Sequence, residues 1–363
     1  MRALRAHVSM LVAAGVVAAA PASSPAPQKI AVTVPAPLAQ VMTKSLHFSS
    51  SDVTSVGRGS TVVKLLQAGE SREVAVIGAI WCDVPAAYFL SRARDIIGIK
   101  AVDEVKQIGI VGPRATPADL EGLTLEAQDI EDLRRCAPGD CKVKLDEPAL
   151  QKFRFEVGWA TPQAADQANR LAREVIARYI ASYQDAGNAA LIEYRDRDTH
   201  VKIAEGTEAL LNRTLWLHDV APGLRQYTDA FPRDPVPYAE DVIYWSKEAF
   251  GMMPTVSATH MIVWRGTSAV VDATILSKQI YASHYIEASL SISLLVGDGR
   301  ADRAGVFVVY LNRSLVDLLQ GGLLGPLRRS IARSRTRDGL VDHLEALKKR
   351  MEHDYKISKT TTY

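Results

Sequence analysis

VSATHMIVW at residues 256–264, VVDATILSKQI at 270–280, EASLSISLLV at 287–296 and VFVVYL at 306–311 decide the fold. Each run is rich in Val, Ile, Thr and aromatic residues, which suit a pleated, half-buried surface. Gly266-Thr-Ser268 and Gly297-Asp-Gly299 supply turns between them. One strand running from Val270 to Val296 would exceed the usual ~3–10 residues, so a bend is expected around Tyr281–Tyr285. Downstream, Leu324, Leu327, Ile331, Val341, Leu344, Leu347 and Met351 recur at helical spacing. The other side of that helix is basic, with Arg328, Arg329, Arg333, Arg335 and Arg337. An antiparallel sheet has a face that must be covered, and a long amphipathic helix can cover it.

Upstream, Val62–Leu66 and Glu73–Trp81 flank Ala-Gly-Glu-Ser and read as a β-hairpin. Pro85 opens a helix running to about Ile97. The acidic stretch from Leu120 to Leu133 reads as partly helical. Thr161-Pro162 starts a helix whose apolar face carries Leu171, Val175, Tyr179 and Tyr183, and Gly187 is placed to end it. Shorter helices are expected at Thr207–Leu215 and Leu224–Ala230. The proline-rich run Phe231–Pro237 reads as a connector. The expected class is α+β: a curved antiparallel sheet gripping a long C-terminal helix, with a helical insertion.

This order resembles the START-like (SRPBCC) helix-grip superfamily. The resembling parts are Val62–Ile97 and about Asp241–Met351, where Gly321-Gly-Leu-Leu-Gly-Pro-Leu327 leads into Leu340–Met351. The resemblance lies in the order of elements rather than in a motif, and Asp140–Pro237 departs from it. It implies a deep apolar cavity between sheet and terminal helix that takes lipids, sterols or polyketides, with some members acting as cyclases or hydrolases. It implies no catalytic residues. The expected organisation is a signal peptide at 1–22, a flexible leader at 23–55, the first part of a START-like domain at 56–135, a helical insertion or lid at 136–237, and the second part with its terminal helix at 238–355.

The polar residues on the strands are the candidate ligand contacts. In Ser277-Lys-Gln-Ile-Tyr-Ala-Ser-His-Tyr285, alternation puts Ser277, Gln279, Tyr281, Ser283 and Tyr285 on one face and Lys278, Ile280, Ala282, His284 and Ile286 on the other. A buried strand rarely carries so many polar groups, because each needs a partner. Either the segment lines a cavity or its groups sit in a solvated face or a core network. Tyr310-Leu-Asn-Arg313 ends a strand, and Arg313 suits a carboxylate or phosphate head or a structural ion pair. Tyr244-Trp-Ser-Lys247 suits a pocket mouth or packing of the connector. His260 opens the next strand. The candidate ligand-binding set is Tyr244, Lys247, His260, Lys278, Tyr281, His284, Tyr285, Tyr310 and Arg313.

Arg2 and Arg5, the apolar run Val8–Ala20 and the small-x-small Ala20-Pro-Ala22 read as a cleavable secretory signal. The run is short for a ~30 Å hydrocarbon core. A periplasmic or secreted location follows, and there disulfides persist. Cys136 and Cys141 bracket a turn-forming Ala-Pro-Gly-Asp and are expected to pair. Cys82 sits in an apolar run and reads as a buried thiol. With 47% hydrophobic and 23% charged residues the chain can build a core. A net charge of +2 does not call for nucleic acid. No nucleophile elbow or phosphate-cradling glycine loop occurs. The scattered histidines give no zinc spacing, so no metal or cofactor is expected. The leading expectation is an exported carrier of a hydrophobic, lipid-like ligand. An enzyme on such a ligand, with His284 or Tyr281 in proton transfer, stays open. So does an interaction module that meets an anionic membrane surface through Arg328–Arg337.

Overall fold

The computed structural model describes residues 31–232, 235–249, 252–300, 304–319 and 325–360. The expected signal at 1–22, the first part of the leader and the Gly321–Leu324 run lie outside them.

Ten strands form: β1 (Val62–Leu65), β2 (Glu73–Cys82), β3 (Val105–Ile110), β4 (Glu193–Tyr194), β5 (Val201–Lys202), β6 (Ala239–Glu248), β7 (Thr255–Trp264), β8 (Ala273–Ala282), β9 (Ile286–Gly297) and β10 (Val306–Val316). Eight make one antiparallel sheet in the order β1-β2-β10-β9-β8-β7-β6-β3, and β4 and β5 pair separately. The chain's last strand therefore closes against its early hairpin, and Glu73 lies opposite Leu315. The bend comes as read: β8 stops at Ala282, and Tyr285 adopts φ 57° before β9 begins.

The helices are α1 (Ala36–Lys44), α2 (Ser50–Gly57), α3 (Ala86–Arg94), α4 (Ile96–Ile99), α5 (Ala127–Arg135), α6 (Glu147–Glu156), α7 (Ala164–Ala186), α8 (Ile203–Asn212), α9 (Leu217–Val220), α10 (Leu224–Ala230) and α11 (Gly325–Thr360). Both faces of the sheet are covered. On the inner face, Leu340, Leu344, Leu347 and Met351 of α11 form one cluster with Val76, Ile80, Phe89, Ile275, Leu295 and Val308. On the outer face, α1, α2 and α8 to α10 bury Leu38, Met42, Leu210 and Leu224 against Ile77, Leu290 and Leu311. Helices α5 to α7 bury Leu133, Phe153, Ile176 and Ile180 against Ile243, Val256 and Ile280. The arrangement is α+β, an antiparallel sheet with a long C-terminal helix, compatible with a helix grip.

Gly78 explains how closely α11 sits. A Cβ there would stand 2.5 Å from Leu344 Cδ1 and 3.3 Å from Leu340 Cδ2. The missing side chain lets the helix rest directly on β2.

Three differences from the sequence reading have physical causes. Residues 31–55, expected within a flexible leader, carry α1 and most of α2. Leu38 and Met42 are four apart and fully buried. Ser49 and Asp52 form a reciprocal capping box that starts α2. The helical insertion begins after β3, not at residue 136, because Val105–Ile110 pairs with β6 as an edge strand. Residues 244–247, expected at a pocket mouth or in packing of the connector, lie inside strand β6, which pairs β7 over its whole length.

Candidate functional site

The cluster under α11 fixes which side chains share the inner face. Val306 and Val308, Leu295, Ile275, Met261 and Val263, and Tyr244 belong to it. Period-two alternation then carries that face onward along each strand. On β10 it reaches Tyr310, Asn312 and Ser314. On β9 it reaches Ser293, Ser291 and Ser289, and on β8 Ser277 and Gln279. On β7 it reaches Thr259 and Ser257, and on β6 Ser246 and Glu248. One end of the face is therefore aliphatic and the other is rich in hydroxyls.

Register brings these groups together across the strands. Ser291 lies opposite Ser277 on one side and Asn312 on the other, and Ser293 lies opposite Tyr310. Asn312 donates to Ser289 at 3.3 Å, and Ser289 and Ser314 hydroxyls meet at 2.8 Å. Ser277, Gln279, Ser289, Ser291, Ser293, Tyr310 and Asn312 are all half-buried. An open sheet face would leave them exposed, and a filled core would bury them.

Two ions stand at the polar end. Lys100 pairs with Glu248 at 2.5 Å and lies 5.6 Å over the Tyr244 ring. Burial alone would lower the Lys100 pKa, but the phenol of Tyr244 and the Glu248 carboxylate hold it above its ordinary value. Burial raises Tyr244 and Tyr310, and in both Lys100 acts the other way. On α11, His343 is lowered by burial, then by Lys100 and Arg350. His343 itself is exposed on α11.

The sequence-predicted residues divide between two faces. Tyr244 and Tyr310 are on the inner face with these hydroxyls. The others are elsewhere, and each has partners. His260 is fully buried: Tyr183 donates to its Nδ1 at 2.8 Å, and its Nε2 donates to Asp241 at 2.7 Å. Lys278 donates to Asn188 Oδ1 at 2.7 Å and lies 5.0 Å over the Tyr183 ring. His284 holds Asp129 at 2.8 Å and the Lys142 carbonyl at 3.1 Å. Both its ring nitrogens are engaged by these partners. Tyr281 donates to the Lys144 carbonyl, and Lys247 bonds the Thr124 carbonyl and Glu126. Tyr285 makes the turn, its carbonyl accepting from Asp317 N. Arg313 pairs with Glu73 at 2.5 Å, and Arg213 holds the other oxygen of that carboxylate at 2.6 Å.

The expected sharing of one face by Ser277, Gln279 and Tyr281 holds only for the first two. Ala258 faces Tyr281 and Thr259 faces Gln279, so Ile280 is an extra residue on β8. Such a bulge turns the following side chain over. Tyr281 joins Ile280 in the cluster with α7. There it also lines a cavity of about 550 Å³ with Asp146, Val175, Arg178, Tyr179 and Ile192.

Sequence reasoning missed Ser289, Ser291, Ser293, Asn312, Lys100, Glu248 and His343. The signal for the serines was present in SLSISLL at 289–295, where a hydroxyl occupies every second position. Nothing local marks Lys100 or His343, which reach the face from a loop and a helix.

Cys136 and Cys141 form a disulfide around the Ala137–Asp140 bridge. Cys82 is buried, and burial pushes its thiol up to about 12. Among the described residues no helix is long and apolar enough to cross a membrane, and no cluster of ligating side chains is placed to hold a metal. Neither the known protein families nor the curated proteins contain a match to this chain.

Proposed function

We propose that this chain is an exported, START-like binding protein that holds a small amphiphile in the groove between α11 and the inner face of the sheet. The observation that carries the reading is the half-buried row of hydroxyls on the face that α11 covers. Its groups bond one another, Ser289 with Ser314 and Asn312, and Tyr310 with Ser291. Being half-exposed, they can exchange those partners for the hydroxyls of a ligand head. The ligand's apolar body would lie along the row itself, since Ile275, Leu295 and Val308 are buried under α11. Lys100 and Glu248 neutralise each other, which favours an uncharged head over an anionic one. Export is supported by the charged start, apolar run and small-x-small site of residues 1–22, and by the disulfide, which suits an oxidising compartment.

Calorimetric titration of the full chain with octyl glucoside below its micellar concentration tests the proposal. Binding is expected, with octanoate weaker. Ser291→Trp fills the groove between Ser277 and Asn312, and affinity should fall about tenfold or more, equivalent to at least roughly 1.4 kcal/mol. Tyr310→Phe removes one hydroxyl and should cost a few-fold. A Ser291→Trp protein with native circular dichroism and unchanged affinity would refute the placement.

A further inference from the structure

We infer that the first turns of α11 form a docking surface for an anionic lipid bilayer. From residue 325 to 337 the helix carries five arginines and no acidic residue; the first acid is Asp338. The stripe that packs on the sheet starts only at Leu340. Before it, on the opposite side, Leu327 is 58% exposed and Ile331 is 45% exposed. They are four residues apart and therefore stacked on one face. Arg328 and Arg335 flank that pair on one side. Arg329, Arg333 and Arg337 follow each other at four-residue spacing on the face that continues the Leu340–Met351 stripe, where they line a groove of about 420 Å³ with Leu65 and Ser330.

Charge complementarity selects the occupant. Arg328, Arg333 and Arg335 make no ion pair among the described residues, and Arg329 reaches only the Leu319 carbonyl at 3.5 Å. Arg337 alone is paired, with the neighbouring Asp338. Guanidinium groups in a row match phosphates bidentately. An exposed Leu–Ile pair flanked by Arg328 and Arg335 is how an interfacial helix lies at a headgroup boundary, its apolar side chains in the acyl region and its cations in the phosphates. Nucleic acid would satisfy the arginines but leave Leu327 and Ile331 without an apolar partner. This docking is independent of the ligand reading, since Leu327, Arg328, Ile331 and Arg335 lie on the side of α11 away from the sheet.

Co-sedimentation with large vesicles of phosphatidylglycerol and phosphatidylcholine tests it on the intact chain. The protein is expected to sediment with mixed vesicles and not with pure phosphatidylcholine. Roughly 1 M salt should release it, because at that strength the screening length drops to about 3 Å. The double variant Arg328→Ser, Arg335→Ser should lower partitioning about tenfold or more, each cation contributing separately. Leu327→Ser with Ile331→Ser should lower it with the charge intact. Native circular dichroism must persist in both, and the exposure of these residues makes that the expected result. Equal binding to neutral vesicles, indifference to either variant, or retention on heparin without retention on vesicles would overturn the inference.

Discussion

Lys278 shows what a charge inside the sheet does to this protein. It is fully buried, and its one hydrogen-bond partner is an amide. Asp229 and Asp241 help it only at a distance, and burial brings it from 10.5 to about 8. At about 1.4 kcal/mol for each tenfold, this disfavours the charged form by roughly 3 kcal/mol. Below pH 8 both folded and unfolded chains hold the proton, so the cost is present in full. Between about 8 and 10.5 the unfolded chain keeps a proton that the folded chain has released, so stability rises with pH. Lys278→Met should therefore stabilise the protein by about 1–3 kcal/mol at pH 7 in urea denaturation, less than the full figure because Asn188 loses its donor. The gain should shrink as pH is raised from about 8 to 10.5. A destabilised variant, or a gain that does not change with pH, would show that Lys278 is not held as described. Polar character on this strand was legible in the sequence. Its division between faces was not, because the bulge at Ile280 depends on how β7 pairs with β8.

At the scale of elements, α11 and β2 meet through Gly78. A side chain there has nowhere to go without moving Leu344 or Val63, whose Cγ2 would lie 3.0 Å from the added Cβ. Gly78→Leu should cost about 1–3 kcal/mol by overpacking, read as a lower urea midpoint with an unchanged slope. A neutral result would mean that the helix does not sit flush on the strand. The hairpin, the four central strands, α7 with its stop at Gly187, and α11 were all legible, because each has strong periodicity and local stop signals. The elements that were missed lacked one of these. Strand β3 is short and has little alternation, and it is defined by its partner β6. Helices α1 and α2 follow the Pro-, Ala- and Ser-rich run 20–37, and that run's composition was carried past its end over the Leu38/Met42 pair and the Ser49 cap.

At the scale of the molecule, the sheet separates two kinds of polar chemistry. Its outer face carries buried networks, such as His260 with Asp241 and Tyr183, or Glu73 between Arg213 and Arg313. Its inner face carries a half-exposed row of hydroxyls bonded to one another, beside an aliphatic end that α11 covers. The proposed ligand would meet that row. Photo-cross-linking separates this account from its alternative. An alkyl glucoside carrying a diazirine on its chain, bound to the full protein and irradiated, should label peptides that contain Ser291, Tyr310 or His343, as read by mass spectrometry. Labelling confined to peptides around Val175, Tyr179 and Ile192 would place the ligand in the insertion cavity instead, and would contradict the central claim.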